Sequence, residues 1–339
     1  MKALTKLLLS RPEIASIVVA IALAVGLGLS GERFMTEGNM RVILAIVPEL
    51  GLIALGAALL MISGEFDLSV GSVFALGTVM PVILVANYGF DPWLSFAIAT
   101  GAALLIGYFN AFVTLTFRIP SFITTLGTLF IVRSASVVFS GGYPPRWPKH
   151  MPDWVFVGYL TEGGVVRASL IWYLGIAVVL GWVLHRTNFG NWIYATGSHK
   201  QSAQDMGIDV RRVKMTCFMI CSTLATWAGI IQALRSHSAY PSVGNGYEMQ
   251  AIAACVIGGV ALFGGFGSIL APIIGIIIIR MVDNGVVMAR VDSGWFKFVI
   301  GTLTVGAVVL NVSLRRRAER IRLEDEAAAE TEETHEDRA

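Results

Sequence analysis

Ten long apolar stretches divide the chain and constrain its fold more than any other feature of the sequence. Most are close to the roughly 20 residues that a helix needs to cross about 30 Å of hydrocarbon. Backbone amides in lipid must bond within their own segment, and the stretches lack the alternation of outer-membrane strands, so they predict helices. One stretch is short and another contains Arg133, so the count has a margin of one. The sequence therefore predicts an all-α, polytopic membrane protein with about ten transmembrane helices. The stretches are Ile14–Ser30, Val42–Ser63, Gly71–Asn87, Trp93–Leu115, Ser121–Phe139, Ala168–His185, Met215–Ala233, Met249–Phe263, Ser268–Met288 and Trp295–Val312.

The proportion of charged residues excludes a water-soluble globule. Charged residues make up 14% of the chain and hydrophobic residues 55%, whereas a soluble domain has about 25% charged residues. Lys2, Lys6 and Arg11 precede the first stretch, but that stretch is longer than a typical signal-peptide core and no A-x-A-like site follows it. We interpret it as an uncleaved first span. Residues 1–314 are expected to form one transmembrane domain, and residues 315–339 a disordered acidic tail in the cytoplasm.

The distribution of Lys and Arg predicts the orientation in the membrane. With ten spans and the N-terminus inside, fifteen basic residues fall on the inner side and eight on the outer side, in agreement with the positive-inside rule. The arginine cluster at 315–317, directly after the last span, contributes most. We expect both termini in the cytoplasm, a long outer loop at Ser140–Arg167 and a long basic inner loop at Arg186–Lys214.

No catalytic or metal-binding constellation is visible in the sequence. It contains no Gly-Lys dipeptide, hence no phosphate-binding P-loop, and no H-E-x-x-H zinc motif. Cys217, Cys221 and Cys255 fall within predicted spans without the spacing of a zinc or disulfide framework. The net charge of +2 does not indicate a nucleic-acid partner. We expect a protein that is not an enzyme and that holds no metal and no cofactor of its own.

Ionisable residues inside the apolar stretches are the strongest functional candidates, because a charge at the centre of a span costs about 2.5–3.5 kcal/mol. Arg133 is one such residue. Arg280 and Asp283 can pair on one helix face, and Glu49 follows Pro48 within the second span. Each fits either an internal ion pair or a place on a permeation path, and the sequence leaves both readings open.

The stretch SGEFDLSVGS, Ser63–Ser72, places two carboxylates between two apolar runs. Asp67 or Ser69 can cap the following helix, whereas capping does not explain Glu65. We expect a helix–turn–helix corner in which Asp67 caps the third span and Glu65 contacts a polar solute or a gating partner, its charge being bearable only if it faces water or a cation.

A weak internal echo of this corner occurs later in the chain. Gly64–Leu68 resembles Gly258–Leu262, and Ser69–Ser72 resembles Gly265–Ser268. Glycine-interrupted segments in matching positions are a feature of transporters with internal repeats. Chance similarity between glycine-rich turns is the alternative.

Several segments resemble one known family, the permease subunits of ribose-type monosaccharide ABC importers. The family pattern G-G-[IF]-D-L-S-V-G-S is similar to GEFDLSVGS at Gly64–Ser72, with Glu65 in place of the second glycine. Further similarity runs through Phe109–Thr128, Tyr194–Lys214 and Ile257–Gly275. The resemblance therefore covers most of the chain.

The resemblance implies an ABC importer permease architecture in the bacterial inner membrane. Such a subunit pairs with a second permease copy, receives a sugar or sugar-like solute from a periplasmic binding protein, and is driven by a separate cytoplasmic ATPase that uses the ATP. Membrane lipids are the remaining partner. By resemblance, Gly197–Gly207 forms a short helix that docks on the ATPase. The implied coupling residues are Gly197, Ser202, Ala203, Gly207 and Ile208.

Two sets of membrane residues are expected to serve the permease. The expected substrate pathway consists of Glu49, Glu65, Asp67, Asn110, Thr124, Thr125 and Asn284. Arg133, Arg280 and Asp283 are expected to form an intramembrane ion pair or to serve the structure.

Two other functions stay open from the residues alone. An ion-coupled secondary transporter would carry carboxylates deep in discontinuous spans, and Glu49 and Asp283 meet that description, but the basic inner loop would then be unexplained. An intramembrane enzyme would need a nucleophile–base pair or metal ligands at useful spacing, which the sequence lacks. The solute is equally open among a pentose, a hexose, a sugar alcohol and a sugar-like signal molecule.

Overall fold

The computed structural model describes residues 12–30, 34–148, 150–161, 164–290, 292 and 294–309. Within these ranges the chain forms helices and no strand, which confirms the predicted all-α class. The predicted acidic tail, 315–339, lies outside the described residues. The helices are α1 (Pro12–Ser30), α2 (Glu37–Ile62), α3 (Val70–Tyr88), α4 (Pro92–Phe117), α5 (Ser121–Ser140), α6 (Asp153–Val157), α7 (Ala168–Arg186), α8 (Asn188–Ser198), α9 (Lys200–Asp205), α10 (Val210–Ser236), α11 (Tyr247–Gly258), α12 (Leu270–Met288) and α13 (Gly294–Val309).

Seven helices are long and apolar enough to cross a membrane, namely α2, α3, α4, α5, α7, α10 and α12. The shorter apolar helices α1 and α13 coincide with the first and last predicted spans. One predicted span needs correction. The stretch Met249–Phe263 contributes only to α11, whose 12 residues extend about 18 Å, short of the roughly 30 Å of a bilayer core. The helix stops because Gly259 adopts a left-handed φ of 111°.

Helices α2, α3 and α10 form the centre of the bundle, and α4, α5 and α7 lie at its periphery. The apolar parts of the central three are mostly buried, whereas only about a third or fewer of the residues in the apolar parts of the outer three are buried. Leu105, Val138 and Val178 are examples of large exposed apolar side chains on the outer helices. Such a surface is suited to contact with lipid.

Helix α10 approaches its neighbours closely at glycines. A Cβ on Gly56 of α2 would lie 2.8 Å from the Cα of Cys221, and a Cβ on Gly107 of α4 would lie 2.8 Å from the Cα of Met219. Lipid tails are as apolar as Leu, so helices in a membrane are held by such van der Waals contact and by polar bonds rather than by the hydrophobic effect. Cys221 is one of three buried free cysteines in this core.

The two ends of the bundle differ in their connections. Segments 63–69, 118–120, 187–209 and 259–269 lie at one end, which we call the basic end because it carries Arg118, Lys200 and the neighbouring Arg211. Segments 89–91 and 141–167 lie at the opposite end. Helix α7, with 19 residues and a length of about 28 Å, separates the two long loops as predicted. Which end faces the cytoplasm stays a prediction from the Lys and Arg distribution.

Candidate functional site: two polar corners at the basic end

The first corner, residues 63–69 between α2 and α3, is held by side-chain hydrogen bonds. The Asp67 carboxylate accepts from the Ser69 amide at 2.8 Å and from the Ser69 hydroxyl at 2.5 Å. Asn110 of α4 donates to Ser69 Oγ at 3.0 Å and to Asp67 at 3.4 Å. The predicted capping role of Asp67 needs correction. The N-cap of α3 is Ser69, and Asp67, two residues earlier, closes an Asx-type turn before the helix begins.

The first turn of α5 supports the same corner. Ser121 Oγ accepts a hydrogen bond from the Phe66 amide at 3.2 Å, and Thr125 Oγ1 accepts one from the Leu68 amide at 3.0 Å. Backbone amides of an irregular buried segment need such partners, because an unpaired buried amide is costly. Thr125 and the neighbouring α4 residue Asn110, both expected on the substrate pathway, are fully buried and serve this corner.

Glu65 forms an ion pair with Lys214 of α10. The Lys214 Nζ–Glu65 Oε1 distance is 2.5 Å, and the side chains are 8% and 15% exposed, respectively. Lys214 is a cation of the kind that Glu65 needs in order to bear its charge, and the expected contact of Glu65 with a solute or a gating partner stays a prediction. The sequence places Lys214 in the inner loop, and this prediction is wrong. Lys214 lies within α10, on the buried face that also carries Val210, Val213 and Cys217. The spacing i, i+3, i+4, i+7 was the signal that could have placed it there.

The second corner, residues 259–269 between α11 and α12, resembles the first in its backbone. The N-caps Ser69 and Ile269 have nearly the same φ, −72° and −73°, and each precedes a helix of 19 residues. Gly64 and Gly264 have φ of 85° and 86°. The sequence echo paired Gly64 with Gly258 instead, so the residue-by-residue register of that echo differs from the backbone similarity.

The basic segment, residues 187–209, contacts both corners through glycine backbones. Gly197 in α8 lies so close to the Ile62 carbonyl that a Cβ would overlap it. The Gly265 amide donates to the same carbonyl at 2.9 Å. A Cβ on Gly264 would lie 2.8 Å from Gly64 Cα. The basic segment and the two corners therefore form one backbone contact, which we call the glycine contact (Gly64, Gly197, Gly264 and Gly265).

The segment Gly197–Gly207, which the resemblance predicts to be one short helix, is divided between two helices. The prediction of a single helix is therefore wrong. Helix α8 ends at Ser198, His199 is extended with φ −146° and ψ 97°, and α9 begins at Lys200. Helix α8 is tied to the second corner, because the Tyr194 hydroxyl donates to the Gly267 carbonyl at 2.7 Å.

The five implied coupling residues divide into two groups. Ser202 and Gly207 are exposed, and Ile208 is partly exposed. Ala203 is fully buried and Gly197 belongs to the glycine contact, so these two face the permease itself. Any contribution of Ala203 and Gly197 to coupling is therefore transmitted through the permease rather than made by direct contact with a partner.

Two buried ion pairs lie away from the corners. Glu49 of α2, 2% exposed, pairs with Arg235 of α10. Arg280 lies 3.4 Å from Asp283 along α12, and its guanidinium carbon is 5.6 Å from the centroid of the Tyr247 ring. Both arrangements match the internal ion-pair reading of these residues.

The remaining candidates occupy separate places. Arg133 Nη1 donates to two backbone carbonyls in the segment 237–246, at 2.8 and 2.7 Å. Asn284 and Asn39 exchange two amide hydrogen bonds of 2.8 and 2.9 Å between α12 and α2. Thr124 is buried, and its hydroxyl has no partner among the described residues.

The structure thus brings Glu65, Asp67, Asn110 and Thr125 together at the first corner and leaves the other pathway candidates dispersed. Each of the seven is buried or partly buried, and their role in passing a solute stays a prediction. Over the described ranges, no three His, Cys, Asp or Glu side chains are grouped as they would be around a metal ion.

The chain is similar to known membrane transport proteins. Residues 39–308 match the family described as "Branched-chain amino acid transport system / permease component". The chain is 34% identical over 313 residues to the autoinducer 2 import system permease protein LsrC of Klebsiella pneumoniae, covering 92% of this chain and 89% of that protein. It is 33% identical to the LsrC protein of an Enterobacter species, with 92% and 90% covered. No solved structure matches the chain.

Proposed function

The chain belongs to the family of ABC importer permease subunits, and on that basis we propose that it forms the membrane pathway of an ATP-driven importer. The importer would move a sugar or sugar-like solute from a periplasmic binding protein into the cytoplasm. The resemblance seen in the sequence is confirmed, and the chain is a transporter subunit rather than an enzyme. The predicted localisation, a multi-pass protein of the bacterial inner membrane, is confirmed by the family and by the seven apolar helices.

The observation that carries the proposal of ATP coupling is the contact of the basic segment with both corners. Helix α9 presents exposed polar residues, Lys200, Gln201, Ser202 and Gln204, that suit docking on a cytoplasmic ATPase. Behind it, Gly197 touches the end of α2, and the second corner touches the first. A displacement of the basic segment by a docked ATPase would therefore reach the starts of α3 and α12 through backbone contacts, without a flexible side chain in between.

The solute class rests on the relatives. The similar LsrC proteins are named for import of autoinducer 2. Their names support a small polar solute as the cargo of this chain. The family description names branched-chain amino acids, so an amino acid is the competing cargo. The two carboxylates expected of an ion-coupled transporter, Glu49 and Asp283, each lie beside an arginine, Arg235 and Arg280 respectively, which favours an ATP-driven mechanism.

The experiment is transport by the assembled complex. The chain is co-purified with its partner ATPase and binding protein and reconstituted in liposomes, and uptake of autoinducer 2, D-ribose and leucine is measured with and without ATP. We expect ATP-dependent uptake of at least one of the first two and not of leucine. Uptake driven by an ion gradient without ATP would overturn the proposal.

Docking of the basic segment is tested in the same preparation. A photo-crosslinker at Ser202→Cys, on exposed α9, is expected to reach the ATPase. The matched control is Tyr143→Cys, an exposed residue in the long loop at the opposite end. Crosslinking of the ATPase from Tyr143→Cys and not from Ser202→Cys would contradict the assignment of the basic end.

A further inference from the structure

The segment 237–246, which connects α10 to α11, lies inside the bundle. Ala239 packs with Val79, Val82 and Ile83 in the middle turns of α3. A few residues later, a Cβ on Gly244 would lie 2.8 Å from the carbonyl oxygen of Gly71, in the first turn of α3. The eleven helical steps from Gly71 to Val82 correspond to about 16 Å. The segment therefore runs down α3 from the side of the opposite end and enters the membrane region, and we call it the re-entrant segment.

The backbone of the re-entrant segment is irregular. Residues 237–246 form turns rather than a helix, and Arg133 of α5 binds the carbonyls of Pro241 and Val243 through one nitrogen, at 2.8 and 2.7 Å. The ring of Tyr247, which opens α11, lies 5.1 Å from that of Phe74 and fixes the far end. Irregular backbone at membrane depth does not face lipid, and it occurs only where protein buries it or where it lines a water-filled cavity.

Several side chains of the re-entrant segment are exposed in the single chain. Tyr240 is half exposed, and Ser242 and Asn245 are exposed. Lipid is excluded as their neighbour, so these side chains meet either an aqueous passage or a second protein chain.

The chemistry of this surface suits a neutral solute rich in hydroxyl groups. Asn245 offers two donors and an acceptor, the Ser242 and Tyr240 hydroxyls offer one donor each and further acceptors, and the Tyr240 ring offers an apolar face. The nearby charges are of opposite sign, since Arg133 and Glu248 interact electrostatically. A surface with several neutral donors and acceptors and balanced charge favours neither an anion nor a cation.

We propose that the re-entrant segment forms a binding position for a neutral, polyhydroxylated solute, with Tyr240, Ser242 and Asn245 as its contacts. Arg133 is a positioning residue that holds the backbone of this site. The assignment deepens the proposed import function and rests on it, because the opposite wall of the passage would come from the second permease copy.

Thiol labelling tests whether the segment faces water. The native cysteines are buried, so Ser242→Cys and Asn245→Cys introduce thiols that a charged, membrane-impermeant methanethiosulfonate reagent can report. The matched control is Val178→Cys, on α7 and 71% exposed but facing lipid. We expect at least tenfold faster labelling at the two re-entrant positions in the reconstituted complex. Labelling no faster than at Val178→Cys would overturn the proposal.

Transport tests the solute class. In the assembled importer, Asn245→Ala is expected to raise the half-saturating concentration for D-ribose or autoinducer 2 uptake at least threefold. Met249→Ala, which removes an exposed apolar side chain close by, serves as the control and should leave it unchanged. Unaltered transport by Asn245→Ala would overturn the binding role.

The two proposals fail differently. If the native complex shows no ATP-dependent uptake, the proposed function fails, while labelling still decides whether the segment lines water. If the native complex imports leucine and neither D-ribose nor autoinducer 2, the polyhydroxylated class is wrong. If it imports D-ribose or autoinducer 2 but Asn245→Cys stays unlabelled, the re-entrant site alone is refuted.

Discussion

Removal of one charge from the Glu65–Lys214 pair should destabilise the protein more than removal of both. In Glu65→Gln, Lys214 keeps its charge at a position where its side chain is 8% exposed, without a nearby anion. Breaking a buried pair in this way costs about 3–5 kcal/mol. Because Glu65 itself is 15% exposed, we expect losses in the free energy of unfolding at or just below the lower end of that range. They are about 3 kcal/mol for Glu65→Gln and about 2 kcal/mol for Lys214→Met.

The double variant Glu65→Gln/Lys214→Met leaves no charge behind. Replacement of a whole buried ion pair by uncharged groups is often nearly neutral, so we expect a loss of about 1 kcal/mol or less. The two single losses would therefore sum to about 5 kcal/mol, well above the loss in the double variant. This non-additivity distinguishes a specific pair from two side chains that each merely fill space.

The measurement is thermal denaturation of the detergent-solubilised protein, followed by fluorescence-detected size exclusion. With an unfolding entropy of about 2.1 cal/mol/K per residue, a chain of 339 residues shifts its midpoint by about 1.4 °C per kcal/mol, so Glu65→Gln should lower the midpoint by roughly 4 °C. Glu37→Gln is the control, because Glu37 and Arg41 form an exposed pair, 66% and 35% accessible, of the kind that contributes about 0–1 kcal/mol. A double variant as unstable as the sum of the singles would refute the reasoning.

Two further substitutions test the corners. Gly197→Ala places a Cβ against the Ile62 carbonyl and should reduce ATP-coupled uptake severalfold. The control is Gly101→Ala on α4, where nothing lies within 4 Å of the added Cβ, and it should leave uptake unchanged. Equal uptake by both variants would contradict a role for the glycine contact. Asp67→Asn presents an amide to the donating amide of Asn110 and weakens two bonds to Ser69, so stability should fall by about 1.5–3 kcal/mol. A midpoint within about 1 °C of the native value would show that the carboxylate is dispensable there.

The helical, membrane-spanning character followed from the sequence because hydrophobic length alone decides it. Hydropathy failed at α11, where the apolar stretch continues past Gly258 and Gly259 to Phe263. Apolar composition does not report where the backbone turns, but the glycine pair did offer a break signal. The depth of the preceding segment, 237–246, carried no sequence signal, since its Ser, Asn and Gly residues are equally typical of a surface loop.

The partners of the buried charges were the least predictable part of the site. Lys214 lies on the apolar face of its helix, so periodicity could have separated it from the adjoining Arg211 and Arg212. By contrast, Glu49 and Arg235 are 186 residues apart in sequence, and only the packing of α2 on α10 brings them together. The glycine contact likewise depends on three distant segments meeting, a property that no local pattern encodes.

During synthesis, α11 cannot enter the bilayer as an independent unit. Its 12 residues fall well short of the roughly 20 that insert on hydrophobicity alone, and the irregular backbone before it would carry unsatisfied amides into lipid. Its insertion must therefore wait until α2 and α12, the helices it packs against most closely, have assembled beside it. A nascent chain that ends before α12 should leave residues 247–258 outside the hydrocarbon, and accessibility of a cysteine at Met249 at successive chain lengths would report the moment of entry. The entry of α11 into the bundle is in that sense made by folding and not by the insertion machinery.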